Sequence, residues 1–401
     1  MNAFFSNPEL PTLYAWTPKS ISDDGNVHVF ERNPYYFKVD TAGNQLPYMD
    51  TLQVEYVDNT ETLNLKIMGG EVDYIYAPAG ESLTNFPLFA ENMETGNYHM
   101  ALTSDDFAHR LIIMPNLSSQ DPQKGELLSN KDFRVALSYA INREELVNLF
   151  GTVADFKAEI AQQSPADGSQ YYNEKLTKQY TEYDTAKANE LLDKIGLTER
   201  DKDGYRKGLD GKEMIFQFTI PDTSGDWLDL GLRIAEHWKA VGLNVEVKSV
   251  SGDMWDELVK SNNMEITAFS SGAGGMLIAT ARHINAYGLM ATGWNQRWAY
   301  AWAQYCTSNG EKGVQPPEYI NELNALRAEV LATTDQEELK VKIEEYLNKY
   351  GEIFPTIGVM HILPQFVIIS NDLKNTPEDY DTFVTYDYGV GANVKPYQFY
   401  K

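Results

Sequence analysis

Between residues 214 and 269 strand and helix signals alternate with little chain between them, and no other stretch constrains the fold as much. Residues 214–220 (MIFQFTI) read as a strand, residues 229–241 as a helix stopped by Gly242, and residues 244–249 (NVEVKS) as a strand again. A short helix over 254–262 and a third strand over 265–269 complete the run. A β-α-β-α-β order buries the faces of a sheet under its own helices, which predicts an α/β lobe.

The flanks carry their own signals. Residues 1–110 are β-rich: 27–32 and 52–57 (LQVEYV) read as strands, 61–68 as a helix ended by Gly69-Gly70, and 72–76 as a short strand. Residues 111–114 (LIIM) have the continuous apolar character of a buried strand. From Lys131 the pattern turns helical, with Phe133, Ala136, Leu137, Ala140 and Ile141 on one face. Asn142 opens a second helix that buries Leu146, Leu149 and Phe150. Asp184 and Gly196 frame a third as N-cap and C-terminal stop. Helices over 316–331 and 336–350 precede strands over 353–359 and 365–370.

Composition narrows the function. A chain of 401 residues with 43% apolar and 23% charged residues is long enough for roughly two to three domains and a sizeable core. Its formal net charge of −25 repels nucleic acid and anionic membrane. Cys306 is the one cysteine, so neither an internal disulfide nor a cysteine-based zinc site can form. No run of 18 apolar residues occurs, and the opening MNAFFSNPEL lacks the basic and apolar regions of a signal peptide.

Catalytic signatures are absent from the sequence. The six histidines are scattered without HxH or HExxH spacing, no GxSxG occurs, and Cys306 has no histidine close in sequence. Neither a metal nor a cofactor is expected. Residues 201–212 (DKDGYRKGLDGK) depart from an EF-hand loop, with Gly204 at position 4 and Lys212 at position 12, and read as turns of a short hairpin. Gly272–Gly275 (GAGG) lacks both the GxGxxG spacing and a following P-loop lysine.

Two features bear on a ligand. Trp294, Trp298 and Trp302 recur at i, i+4 and i+8, which fits an aromatic stripe packing a helix onto its lobe. Spacing alone favours that stripe; the functional reading is indoles that stack on sugar rings, with Asn295, Gln296 and Arg297 bonding hydroxyls. Trp255 and Trp227 stand apart in sequence.

The ordered series of residues 31–76 (ERNPYYFKVDTAGNQLPYMDTLQVEYVDNTETLNLKIMGGEVDYIY), DFRVALSYAINREEL from Asp132, YDTAKANELLDKIG and IAEHWKAVGLNVEVK resembles the family 5 solute-binding proteins of bacterial ABC importers, the oligopeptide-, dipeptide- and nickel-binding class. The look is that of the long members that bind β-linked oligosaccharides. The resemblance implies an α/β, two-lobe periplasmic-binding-protein-like fold (type II, cluster C). It further implies that the early position of the NPYY tract leaves part of the first lobe missing. Residues 1–115 would belong to lobe I, 116–360 to lobe II, and 361–401 would return to lobe I.

By the same resemblance the protein is a receptor rather than an enzyme. It would capture a cello- or manno-type oligosaccharide, or an oligopeptide, in an interlobe cleft and deliver it to the transmembrane subunits of a permease. It would act as an extracytoplasmic, lipid-anchored monomer with no nucleic-acid partner. Peptide-binding relatives carry, at the strand end after Phe269, an aspartate that pairs with the ligand's amino group. An ungapped alignment puts Gly274 there, with Asp253 or Asp256 as substitutes. The implied ligand-binding set is Trp255, Ser270, Ser271, Trp294, Asn295, Trp298 and Trp302. A carbohydrate- or peptide-hydrolysing enzyme, which would need two carboxylates about 5–10 Å apart, and a fragment that binds nothing remain the alternatives.

Overall fold

Strand and helix alternate through residues 215–271 as predicted, and they do so within one of two units. In this computed structural model the described residues are 7, 11–57, 59–76, 85–105, 109–153, 156–165, 171–223, 226–271, 297–363, 365–376, 384–385 and 396–401. Unit 1 comprises residues 1–105 and 364–401, and unit 2 comprises residues 106–363. The chain therefore passes between them twice.

In unit 1, strands β1 (Trp16–Ile21), β2 (Val27–Arg32) and β3 (Thr51–Glu55) form an antiparallel sheet in that order. Helix α1 (Thr60–Met68), strand β4 (Tyr74–Tyr76), helix α2 (Phe86–Glu91) and strand β5 (Tyr98–Asp105) follow. The predicted tract between β2 and β3 is held by short polar side chains. Asn33 donates to the Tyr14 carbonyl at 2.9 Å and accepts from the Tyr35 amide at 2.9 Å. Asp40 accepts from the amides of Ala42 and Asn44, both at 2.8 Å, and from the Tyr48 hydroxyl at 2.7 Å. The Asn44 side chain, then Tyr48, hold the Asp40 carboxyl down at about 2. Of the three consecutive aromatics in this tract only Tyr36 is buried; Tyr35 is 88% exposed and Phe37 67%.

Unit 2 opens with strand β6 (His109–Pro115), then helices α3 (Gly125–Ser129), α4 (Lys131–Tyr139) and α5 (Arg143–Phe150). A two-stranded ribbon of β7 (Thr152–Val153) and β8 (Phe156–Lys157) leads to α6 (Glu174–Lys178) and α7 (Thr185–Lys194). The alternating run is β9 (Ile215–Pro221), α8 (Trp227–Lys239), β10 (Asn244–Val250), α9 (Gly252–Lys260) and β11 (Ile266–Ser271). Helices α10 (Tyr300–Thr307), α11 (Glu318–Ala332) and α12 (Gln336–Ile353) precede a short strand, β12 (Ile357–Gly358). The predicted strand over 353–359 shrinks to these two residues because α12 runs on through Ile353 and ends at Phe354 in the left-handed region. The chain then returns to unit 1, where β13 (Gln365–Ser370) pairs with β5 and β4, and β14 (Val384–Thr385) pairs with β5.

The unit 2 sheet has the order β10-β9-β11-β6-β12 among the described residues. β10, β9 and β11 are parallel, while β6 runs antiparallel to β11 and β12. Because β6 pairs throughout with β11, it belongs wholly to unit 2, and the first passage lies ahead of it rather than at Pro115. Residues 201–212 form turns as expected, with Arg200 and Arg206 bridged and Gly204 and Gly211 at positive φ.

Candidate functional site

Strand order determines where a parallel α/β sheet can hold a ligand. From β9 the chain goes to β10 on one side, then returns to β11 on the other. Helices after such diverging strands leave a crevice outside the strands' carboxyl ends. The residues at that edge of unit 2 are aromatic. Trp227 opens α8 after β9, Trp255 lies in α9 after β10, and Phe269 and Ser270 end β11.

These side chains meet. Trp255 stacks on Phe269 with ring centroids 5.4 Å apart at 24°, and Trp227 meets the same ring edge-on at 5.1 Å. The Trp255 indole N–H donates to the Thr267 hydroxyl at 2.6 Å, which donates to the Thr219 carbonyl at 2.7 Å, so a fully buried indole keeps its polar atom paired. The Arg297 guanidinium lies 5.2 Å over the Trp255 ring and 6.0 Å over Tyr300. It donates to Asp256 at 2.9 Å, and Lys260 pairs with the other oxygen of that carboxylate. Burial raises the Asp256 carboxyl, but Lys260 and Arg297 outweigh it and leave the group below the ordinary carboxylate value. Asp226, beside Trp227, is engaged by Arg110 at 2.8 Å.

Ser270 is half-buried at an irregularity, since the β11–β6 register shifts between Phe269 and Ser271. Such shifts re-aim side chains at sheet edges. Ser271 ends β11. Trp294 and Asn295 lie outside the described residues, as do Gly272–Gly275 and Gln296. The predicted tryptophan stripe is not a single helix, because α10 begins only at Tyr300, after Trp298. Trp298 and Trp302 are core side chains instead: both rings are buried in a cluster with Ile112, Met114, Leu117, Ile320 and Leu323. The Trp298 carbonyl accepts the Leu117 amide at 2.7 Å, which locks the tract to the end of β6. Arg297, expected to bond ligand hydroxyls, is instead paired with Asp256, which spacing did not foresee. Its signal is a cation next to a tryptophan, and its partners are on α9, far away in sequence.

A second concavity, of about 500 Å³, lies in unit 1 between Tyr14, Trp16, Phe30, Tyr36, Phe37 and Tyr397. Lys38 is the one charged residue lining it. The lining is otherwise aromatic and aliphatic. Among the described residues no group of three or more His, Cys, Asp or Glu could hold a metal ion, and no helix is long and apolar enough to cross a membrane.

The model of the bacterial extracellular solute-binding proteins, family 5 (middle region), matches residues 14–310. The chain belongs to this family. Its fold class is accordingly α/β, of the two-lobe periplasmic-binding-protein type. It is similar to the periplasmic alpha-galactoside-binding protein of Rhizobium meliloti, 24% identical over 383 residues that make up 92% of this chain and 52% of that protein. Among solved structures it is similar to the oligopeptide-binding protein OppA, with a TM-score of 0.71 and 29% identity over 100% of this chain and 64% of that one. It is also similar to the periplasmic binding protein MelB of Agrobacterium fabrum, solved with stachyose, with a TM-score of 0.71 and 19% identity over 92% and 54% of the two chains. The chain thus spans about half to two thirds of the length of these relatives.

Proposed function

We propose that this protein is the extracytoplasmic receptor of an ABC importer and that its ligand is an oligosaccharide. Family membership supports the receptor role, in which ligand is bound and passed to permease subunits unchanged. The observation that carries the sugar reading is the state of the carboxylates beside the aromatic edge. A free peptide presents an ammonium group that needs an uncommitted acid, whereas Asp256 is held by Arg297 and Lys260, and Asp226 by Arg110, which leaves the exposed Asp253 in the first turn of α9 as the acid a peptide would use. A neutral ligand with hydroxyls and C–H faces suits an edge of indoles and serines. Ser270, Ser271, Trp294 and Asn295 are the candidate ligand-binding set in this reading, and Trp255, Trp298 and Trp302 are buried side chains of unit 2. The relative matched over 92% of this chain carries an alpha-galactoside ligand in its name, which favours the same class.

A peptide ligand is the second reading, favoured by the 29% identity to the oligopeptide-binding protein OppA. A thermal-shift screen separates them. Stachyose, raffinose, and cello- and manno-oligosaccharides are set against di- to pentapeptides. At a hundredfold excess over Kd a ligand adds about 2.7 kcal/mol to stability, several degrees in Tm. A shift with sugars alone is expected; a shift with peptides alone removes the sugar reading. Lipid anchoring and a monomeric state complete the proposal and are read by membrane fractionation and by sedimentation.

A further inference from the structure

The two passages of the chain between its units begin at neighbouring points of unit 2. His109 opens β6 a few residues after the first passage, and His361 lies just before the second. The two residues are bridged across antiparallel backbone, and their rings stack with centroids 4.7 Å apart. His109 is fully buried, and His361 is 8% exposed. Nε2 of His109 is 2.9 Å from the Ser164 carbonyl and 3.0 Å from the Ser164 amide, so one nitrogen has a partner either as donor or as acceptor. The Met360 backbone faces the same ring. His361 Nδ1 faces Glu159 at 3.1 Å, and Glu159 is in turn bound by Lys178 at 2.5 Å.

We propose that this stacked histidine pair is a proton-operated latch on the two strand ends through which the chain leaves unit 2. With the pair neutral, the rings stack and the bridge between residues 109 and 361 holds both exits together. A proton on the pair puts a cation against a fully buried ring. Glu159, the acid beside the pair, is already engaged by His361 and Lys178. Of the elements packed on the pair, the segment before α6 presents Glu159 and α6 presents Lys178. Burial first, then His361, push His109 well below the usual histidine value. The sign follows from that depression. The opened strand ends bind a proton from about pH 6.5 downwards, the closed ones do not, and the closed state is lost progressively as pH falls below that point.

Hydrogen exchange on the full chain at pH 7.5, 6 and 5, corrected for intrinsic exchange, tests this. Opening of segments 109–113 and 357–363 is expected to rise about tenfold for each pH unit below about 6.5, while strands β9 and β10 stay unchanged. His109→Gln is expected to flatten that slope, and His361→Gln, which keeps a hydrogen-bonding group toward Glu159 and leaves His109 buried, to flatten it less. A flat wild-type profile, a rise spread over the whole of unit 2, or an unchanged slope in the folded His109→Gln variant overturns the proposal. The wild-type profile decides even where a variant fails to fold.

Discussion

Arg134 and Arg143 lie in the stretch DFRVALSYAINREEL, and both guanidinium groups are buried to within 2% of full enclosure. Arg134 donates to the carbonyls of Ile353 and Phe354, at the end of α12, at 2.8 Å each, and to that of Leu128 at 3.0 Å. Arg143 donates to the carbonyls of Ser138 and Gly358 at 2.9 and 3.0 Å and to the Ser138 hydroxyl at 2.8 Å. Helix C-terminal carbonyls lack intrahelical donors and carry partial negative charge, so a guanidinium satisfies them and is stabilised by them. Burial lowers the two groups to about 10 and about 9, still cationic at neutral pH. Replacing Arg143 with Met leaves these acceptors buried and unpaired; a loss of about 3–5 kcal/mol is expected in urea unfolding of the chain. A loss under about 1 kcal/mol would show that water replaces the arginine. The sequence marks this stretch as an apolar helix face with arginines between. It hides their purpose, because the Phe354 carbonyl lies 220 residues along the chain from Arg134.

At the scale of elements, what periodicity reaches is the strand and helix run from β9 to β11, whose cores each bury their own alternate or every-third side chains. What it misses is set by contacts between distant segments. β12 is only two residues long, and its place comes from a close backbone approach rather than from its own pattern. A Cβ built on Gly358 would sit 2.4 Å from the Ala161 carbonyl oxygen and 2.5 Å from the Gln162 Cα, while the Gly358 amide donates to the Gln162 side chain at 2.7 Å. Gly358→Ala is therefore expected to cost about 1–3 kcal/mol, with the exchange protection of β12 lost before that of β9. Unchanged stability would mean that the 161–162 segment moves aside freely. The tryptophan spacing misled for a related reason. Trp298 and Trp302 are brought together by packing against β6, α11 and α12, and no helix joins them. Of the candidate site, the sequence therefore made Trp255 and the end of β11 legible. The Arg297–Asp256–Lys260 cluster that neutralises the edge was not, since it joins α9 to a residue ahead of α10.

For the molecule as a whole, the arrangement of aromatic and neutral polar groups beside the sheet edge supports the proposed capture of an uncharged solute. A glycoside hydrolase requires a pair of carboxylates around its cleft, whereas Asp226 and Asp256 at this edge are tied to arginines. Titration calorimetry of the chain with stachyose, cellotetraose and a tetrapeptide, followed by chromatography of each recovered ligand, addresses the central claim most directly. The account predicts saturable heat with a tetrasaccharide, none with the peptide, and the sugar recovered intact. Heat with the peptide alone, or shortened sugar in the recovered fraction, would contradict it.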